Sequence, residues 1–236
     1  MAIASKTTNN NGVMIHYMDS KQDSDRSLIP LLICPGLSET AEEYVDFLEY
    51  IFPRRGIVLS FRGRGQSETP PKGYNLEHHV SDIESVVRQS GVKYFHLFGY
   101  SRGVSYALGY AKRNQDQIAS IIVQDYPCEH KAMPPTWPED YIENYLIPHH
   151  RTLSMRPEAV RGIQIESTQE IIKFKFERSM LVIRGLLEGS LLSGEDIKRY
   201  RNQFLDLQIC EFKKSGHDIR HTEKARLYET ITEFLA

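Results

Sequence analysis

The chain has 236 residues, with 29 Lys and Arg against 31 Asp and Glu for a net charge of −2. That length suits one large α/β domain or two small ones, and the charge argues against a general nucleic-acid binder, which carries a basic excess. Cys34, Cys128 and Cys210 lie too far apart for a CxxC motif and read as reduced thiols of a cytoplasmic protein, not a disulfide frame or a zinc site.

The opening "MAIASKTTNNNG" has no long apolar region after a charged start, so no signal peptide is expected. No apolar stretch approaches the ~20 residues of a membrane helix. "GVMIHYMD" alternates as an early strand does, and Asp19 to Ser27 reads as a polar surface loop. "LIPLLICPG" is a continuous apolar run ending in Pro-Gly, the mark of a buried parallel strand. "TAEEYVDFLEYIF" has helical spacing with Thr40 as its N-cap. "GIVLSF" is a second buried strand, followed by the glycine-broken turn "RGRGQSETPP". "NLEHHVSDIESVVRQSG" predicts a helix that starts at Asn75 and closes at Gly91. "KYFHLFGY" is a third strand. A helix follows over 101–114, with Val104, Ala107, Leu108 and Ala111 on one face, and then "IASIIVQDYP" as a fourth strand.

From Pro127 to about Arg178 the rhythm breaks into two or three proline-interrupted helices with no obvious strand. "MLVIRG" resumes the strands, "GEDIKRYRNQF" is a helix, "LQICEF" a last strand and "TEKARLYETITEFL" a closing helix. Strands alternating with helices predict an α/β fold with a mostly parallel, doubly wound sheet. The expected organisation is a core over 1–126 and 179–236 with a helical cap, 127–178, inserted between strands. Such an insertion most simply covers the C-terminal edge of the sheet, where open α/β sheets bind ligands.

"GYSRG" joins a strand to a helix, as a nucleophile elbow requires. Ser101 is then either an activated nucleophile on a strained turn or a serine capping the helix. Among nine histidines, His217 is the base candidate: it lies in a glycine-containing loop beyond the last strand, within reach of the sheet edge. His96 reads as a packed strand residue, His78 and His79 as solvated helix residues, His149 and His150 as a surface pair in the cap. His221 lies too close to the final helix to serve well.

Together these segments resemble the α/β-hydrolase superfamily, over nearly the whole chain, and look closest to small bacterial-type members with a short cap. "PGLSETAEEY" is similar to the family's oxyanion loop with Pro35 in the histidine position. "SFRGRGQSE" is similar to its Asp-x-Arg-Gly-x-Gly-x-Ser turn with Ser60 in place of the aspartate. "GYSRG" matches the elbow, and "SGHDIRHTEKARLYETITEFL" the C-terminal Gly-His and helix. The resemblance implies Ser101 as nucleophile, His217 as base, and the backbone N–H groups of Leu37 and Arg102 as the oxyanion hole. The family's acid commonly follows the strand here reading "MLVIRG", where only Glu188 is available; some members place it one strand earlier, where Asp125 stands. Asp125 is the first choice and Glu188 the alternative.

Arg102 is unusual where the family has a neutral residue. It reads either as a cation favouring an anionic substrate or as half of an internal ion pair with a carboxylate beneath the elbow. Trp137, Tyr141, Tyr145 and Leu146 are candidate pocket residues, although such spacing also suits cap-to-core packing. The expected activity is cleavage of an ester, thioester or related small acyl substrate through an acyl-enzyme, with no cofactor or metal and no nucleic-acid or membrane partner. The alternatives are a ligand-binding or signalling protein on a hydrolase scaffold, or another triad chemistry such as perhydrolysis or carbon–carbon bond hydrolysis.

Overall fold

A computed structural model describes residues 2–236. An eight-stranded sheet runs in the order β1-β2-β4-β3-β5-β6-β9-β10. Its strands are β1 (Ala4–Asn10), β2 (Val13–Asp19), β3 (Leu31–Cys34), β4 (Gly56–Leu59), β5 (Phe95–Tyr100), β6 (Ile118–Gln124), β9 (Met180–Gly185) and β10 (Leu207–Phe212). All pairings from β4 to β10 are parallel; β1 and β2 form an antiparallel hairpin at one edge.

Side-chain alternation along each strand divides the core in two. Leu97, Val123 and Val182 join α2 (Leu76–Ser90), α3 (Arg102–Arg113) and α6 (Gly194–Gln203) on one face. Phe98, Ile122 and Ile183 join α1 (Val45–Tyr50) and α8 (Lys224–Phe234) on the other. Apolar residues facing both ways explain why these strands read as unbroken hydrophobic runs. The doubly wound, mostly parallel sheet is thus the observed architecture.

Helix ends follow local chemistry. The Asn75 side chain accepts the His78 N–H at 3.0 Å, and Gly91 closes α2 at φ 70°. Thr40 precedes a 3₁₀ turn, Ala41–Tyr44, that leads into α1, so "TAEEYVDFLEYIF" is two short helices in series.

One strand went unread and two expectations need correction. β1 is a strand that the polar string "ASKTTNN" conceals, because as an edge strand it buries only Thr8 and Asn10, near its end, on the side of α2. The readable signal was Asn11-Gly12, both at positive φ, joining it to β2 as a two-residue hairpin loop. Asp19 and Ser20 are buried; Asp19 accepts Nε and Nη2 of Arg55 at 2.9 and 3.0 Å. His79 is fully buried, stacked on Tyr106 with ring centroids 4.1 Å apart.

Segment 127–178 carries α4 (Trp137–Tyr141), a π-type turn over Ile142–Leu146, and α5 (Pro157–Glu166). It also contains strands that the sequence did not disclose: β7 (Glu129–His130) pairs antiparallel with β8 (Glu170–Ile171). Two-residue strands are too short for any periodicity. They clip together the chain's exit from the core and its return. Among the described residues no helix is long and apolar enough to cross a membrane.

Candidate active site

Ser101 sits between β5 and α3 at φ 51°, ψ −134°, a conformation that costs an L-residue roughly 1–3 kcal/mol. The turn closes tightly because of its glycines. A Cβ on Gly103 would stand 2.2 Å from the Pro35 carbonyl oxygen, and one on Gly99 2.8 Å from Val104 Cα. Ser101 occupies the N-cap position, yet its side chain makes no capping hydrogen bond. Its Oγ instead lies 2.9 Å from His217 Nε2.

His217 Nδ1 lies 2.8 Å from Asp125 Oδ2. An ionised carboxylate only accepts, so the proton belongs on Nδ1, which leaves Nε2 free to accept the Ser101 hydroxyl. Asp125 is fully buried just past β6, itself at φ 50°. Its other acceptor sites take the Ser190 hydroxyl at 2.6 Å and the Leu191 N–H at 2.9 Å. Glu188 is exposed in the same loop, and its side chain makes no hydrogen bond to the described residues. The His217 side chain is 28% exposed, open enough to exchange protons with a bound molecule.

The N–H groups of Leu37 and Arg102 donate to no acceptor among the described residues. One belongs to the loop after β3; the other is the first N–H of α3, where the helix dipole favours negative charge. Both are therefore available to an oxyanion.

A network unread in the sequence joins this loop to that of His217. Glu39 accepts the Gly36 N–H at 2.8 Å and the Tyr44 hydroxyl at 2.6 Å through Oε2, and Arg220 Nη2 at 2.7 Å through Oε1. The Arg220 guanidinium lies 4.4 Å over the Tyr44 ring and donates to the Glu43 carbonyl at 3.1 Å. Tyr100 stacks on His217 at 5.1 Å and donates to its carbonyl at 3.3 Å; a Cβ on Gly36 would come within 3.1 Å of the same ring. Burial pushes the Tyr100 hydroxyl well above its ordinary range, so it remains a donor. The available signal was a Glu three residues after Gly36, the spacing by which a side chain reaches back to a free N–H.

Among the described residues Arg102 makes no ion pair with a carboxylate, which corrects the internal-pair reading. Its guanidinium donates to Tyr106 Oη at 3.1 Å, the Lys131 carbonyl at 3.1 Å and Ser167 Oγ at 2.7 Å, and contacts Met133 Sδ at 3.2 Å. Arg62, by contrast, is neutralised by Asp82 at 2.6 Å. His96 is packed and bonded to Ser120 Oγ at 2.7 Å, and His149 and His150 are exposed.

Of the pocket candidates, Trp137 and Tyr141 pack in one apolar cluster with Leu37, and Tyr141 donates to Ser38 Oγ at 2.9 Å. Leu146 is fully buried in the same cluster. Tyr145 is partly exposed, stacked between Tyr141 and His149. Among the described residues no group of three or more His, Cys, Asp or Glu could hold a metal ion.

Comparison with known proteins identifies the fold family. The family model described as "alpha/beta hydrolase fold" matches residues 29–152, more than half of the chain. Proline iminopeptidase of Chitinophaga pinensis is 27% identical over 114 residues, covering 45% of this chain and 38% of that protein, so the match spans well under half of the relative. N-formylmaleamate deformylase of Pseudomonas putida is 20% identical across 99% of this chain and 97% of its own. The crystal structure of an esterase from Rhodococcus sp. ECU1013 superposes with a TM-score of 0.81 at 16% identity, covering 100% of this chain and 98% of that one. At such identity the superposition speaks for a shared fold.

Proposed function

Because the chain belongs to the α/β hydrolase fold family, we propose that it is a serine hydrolase acting on a small ester, thioester or related acyl compound. The observation that carries this reading is the continuous hydrogen-bonded line Ser101–His217–Asp125 at 2.9 and 2.8 Å; the N–H of Arg102, next to Ser101 in the chain, and that of Leu37 are uncommitted.

Ser101 Oγ attacks the acyl carbon as its proton passes to His217 Nε2. The negative oxygen of the tetrahedral species is held by the N–H groups of Leu37 and Arg102, each worth about 3 kcal/mol to such a transition state. Asp125 keeps the imidazole oriented and stabilises its charged form. The C–O or C–S bond then breaks, and the leaving group takes the proton from Nε2. Water, deprotonated by the same nitrogen, attacks the acyl-enzyme; Ser101 recovers its proton and the acid leaves.

Segment 127–178 serves as a cap over the remaining 1–126 and 179–236 core. Its contact through Tyr141 and Ser38, and its packing on Leu37, support a pocket bounded by Trp137 and Tyr141. The test is labelling with a fluorophosphonate probe followed by hydrolysis of p-nitrophenyl esters of increasing chain length. A covalent adduct that disappears in Ser101→Ala, with ester turnover, is the expected result. Folded protein that is neither labelled nor active would refute the reading.

A further inference from the structure

Five arginines are buried: Arg54, Arg55, Arg62, Arg64 and Arg102. Arg55 and Arg62 face Asp19 and Asp82, and Arg54 donates to the carbonyls of Ile29 and Leu235. Arg64 and Arg102 are 1% and 3% exposed, and neither pairs with a carboxylate among the described residues.

The two converge on one cluster. The Tyr106 hydroxyl accepts Arg102 Nε at 3.1 Å. His79, stacked on Tyr106, is 3.0 Å from Arg64 Nη1, and His130 is 3.4 Å from Arg102 Nη2. Burial, reinforced by Arg64, keeps His79 well below the ordinary histidine range; burial and Arg102 bring His130 down to about 3. Both imidazoles are therefore neutral, and the cluster holds two positive charges without an anion. Buried charge of this kind is costly unless a partner balances it.

Arg102's nitrogens all have partners, but Arg64's do not. Its Nε donates to the Leu37 carbonyl at 3.0 Å and its Nη1 to the Arg62 carbonyl at 2.6 Å, whereas its buried Nη2 has no partner. Nε and Nη2 share one edge of the planar guanidinium, so the unpaired nitrogen lies on the edge turned toward Leu37. Leu37 also carries one of the two uncommitted N–H groups assigned above to the oxyanion. The insertion roofs this turn: Arg64 forms a backbone bridge with Met155, and the Gly65 N–H donates to the Ser154 carbonyl at 2.9 Å.

Resting on the reading of Ser101 as nucleophile, we propose that Arg64, with the charge of Arg102 behind it, is the subsite for a carboxylate on the substrate. The preferred substrates are then half-esters or thioesters of dicarboxylic acids, hydrolysed to the free diacid and an alcohol or thiol. A single unpaired nitrogen suits a monoanion better than a phosphate dianion, whose three oxygens would call for more free donors.

The test compares monomethyl and dimethyl esters of succinic, glutaric and adipic acids in the wild type and in Arg64→Met. The expected result is a kcat/KM ratio favouring the half-ester by about tenfold or more, collapsing toward unity in Arg64→Met. The ratio cancels any general loss caused by freeing the Leu37 carbonyl. Ser101-dependent hydrolysis with no half-ester preference, or with one that survives in Arg64→Met, overturns the subsite and leaves the hydrolase reading intact. Where Arg64→Met does not fold, Arg64→Gln reads the same ratio. If no ester turns over, thermal-shift titration of the wild type and the arginine variant with succinate, glutarate and adipate decides the matter. Stabilisation by a diacid, absent in the variant and with acetate, retains the subsite; no stabilisation overturns it.

Discussion

Asp125 and His217 are 92 residues apart in the chain, yet the carboxylate of one lies 2.8 Å from Nδ1 of the other. Two parallel strands bring this about. β6 pairs with β9, so Asp125, just past the end of β6, stands beside Gly185, and the loop after β9 folds back to give Asp125 two donors, Ser190 and Leu191. Glu188, in that same loop, turns outward.

Replacing each acid by its amide separates them. Asp125→Asn is expected to lower kcat by about 10³- to 10⁴-fold, because its amide group no longer holds the imidazole in the required tautomer. Glu188→Gln should stay within about twofold. Steady-state kinetics beside a melting curve distinguishes lost orientation from lost fold. A large loss in Glu188→Gln with little in Asp125→Asn would reverse the assignment.

The Glu39–Arg220 pair offers a second test. Arg220→Met removes the link between the Leu37 loop and the His217 loop, and small misplacements of reacting groups are costly to rate. The expectation is a kcat reduced by about tenfold with KM little changed, partly restored in Arg220→Lys. A change confined to thermal stability would make the network purely structural.

Elbow packing predicts the outcome of Gly103→Ala. Its new methyl group would meet the carbonyl oxygens of Cys34 and Pro35 at 2.3 and 2.2 Å, both backbone atoms that cannot rotate away. Forcing β3 and α3 apart should destabilise by about 1–3 kcal/mol, read as a lower denaturation midpoint. An unchanged midpoint would mean that the two elements are looser than this geometry requires.

Buried neutral histidines set a pH dependence. Burial, aided by Arg54, holds His96 at about 4 against 6.5 for an unfolded chain. Between those values the unfolded state binds the extra proton, so stability falls as pH drops below 6.5 and the loss is complete near 4. Each such histidine contributes at most about 1.4 kcal/mol per pH unit in that window. Urea melts at pH 7 and pH 5 should therefore show a loss that shrinks by about 1–2 kcal/mol in His96→Gln. An equal loss in both proteins would place the proton uptake elsewhere.

Much of this molecule is written locally. Runs such as "LLIC" and "IIV" announce strands covered on both faces, and Asn75 and Gly91 mark the ends of α2 by cap chemistry alone. "GYSRG" between a strand and a helix, and His217 in a loop after the last strand, are likewise features of short stretches, legible because strand period, helix period and turn chemistry act over a few residues. The hairpin edge β1 escaped because its burial is too slight to pattern the sequence, although Asn11-Gly12 carried the turn.

What tertiary structure alone decided is which side chains meet. Asp125 and Glu188 both follow strand ends and both precede His217; the β6–β9 register and the fold-back of one loop brought only the first to the imidazole. His79 looked like a solvated helix residue until packing buried it against Tyr106, and Arg102, which the sequence marked as unusual, is buried beside the same ring without the carboxylate that an internal ion pair requires. The joining of Glu39 to Arg220 spans 181 residues. Periodicity reports which face of an element is covered but not by what, because partners across a sheet are chosen by strand order and register, which no local window contains.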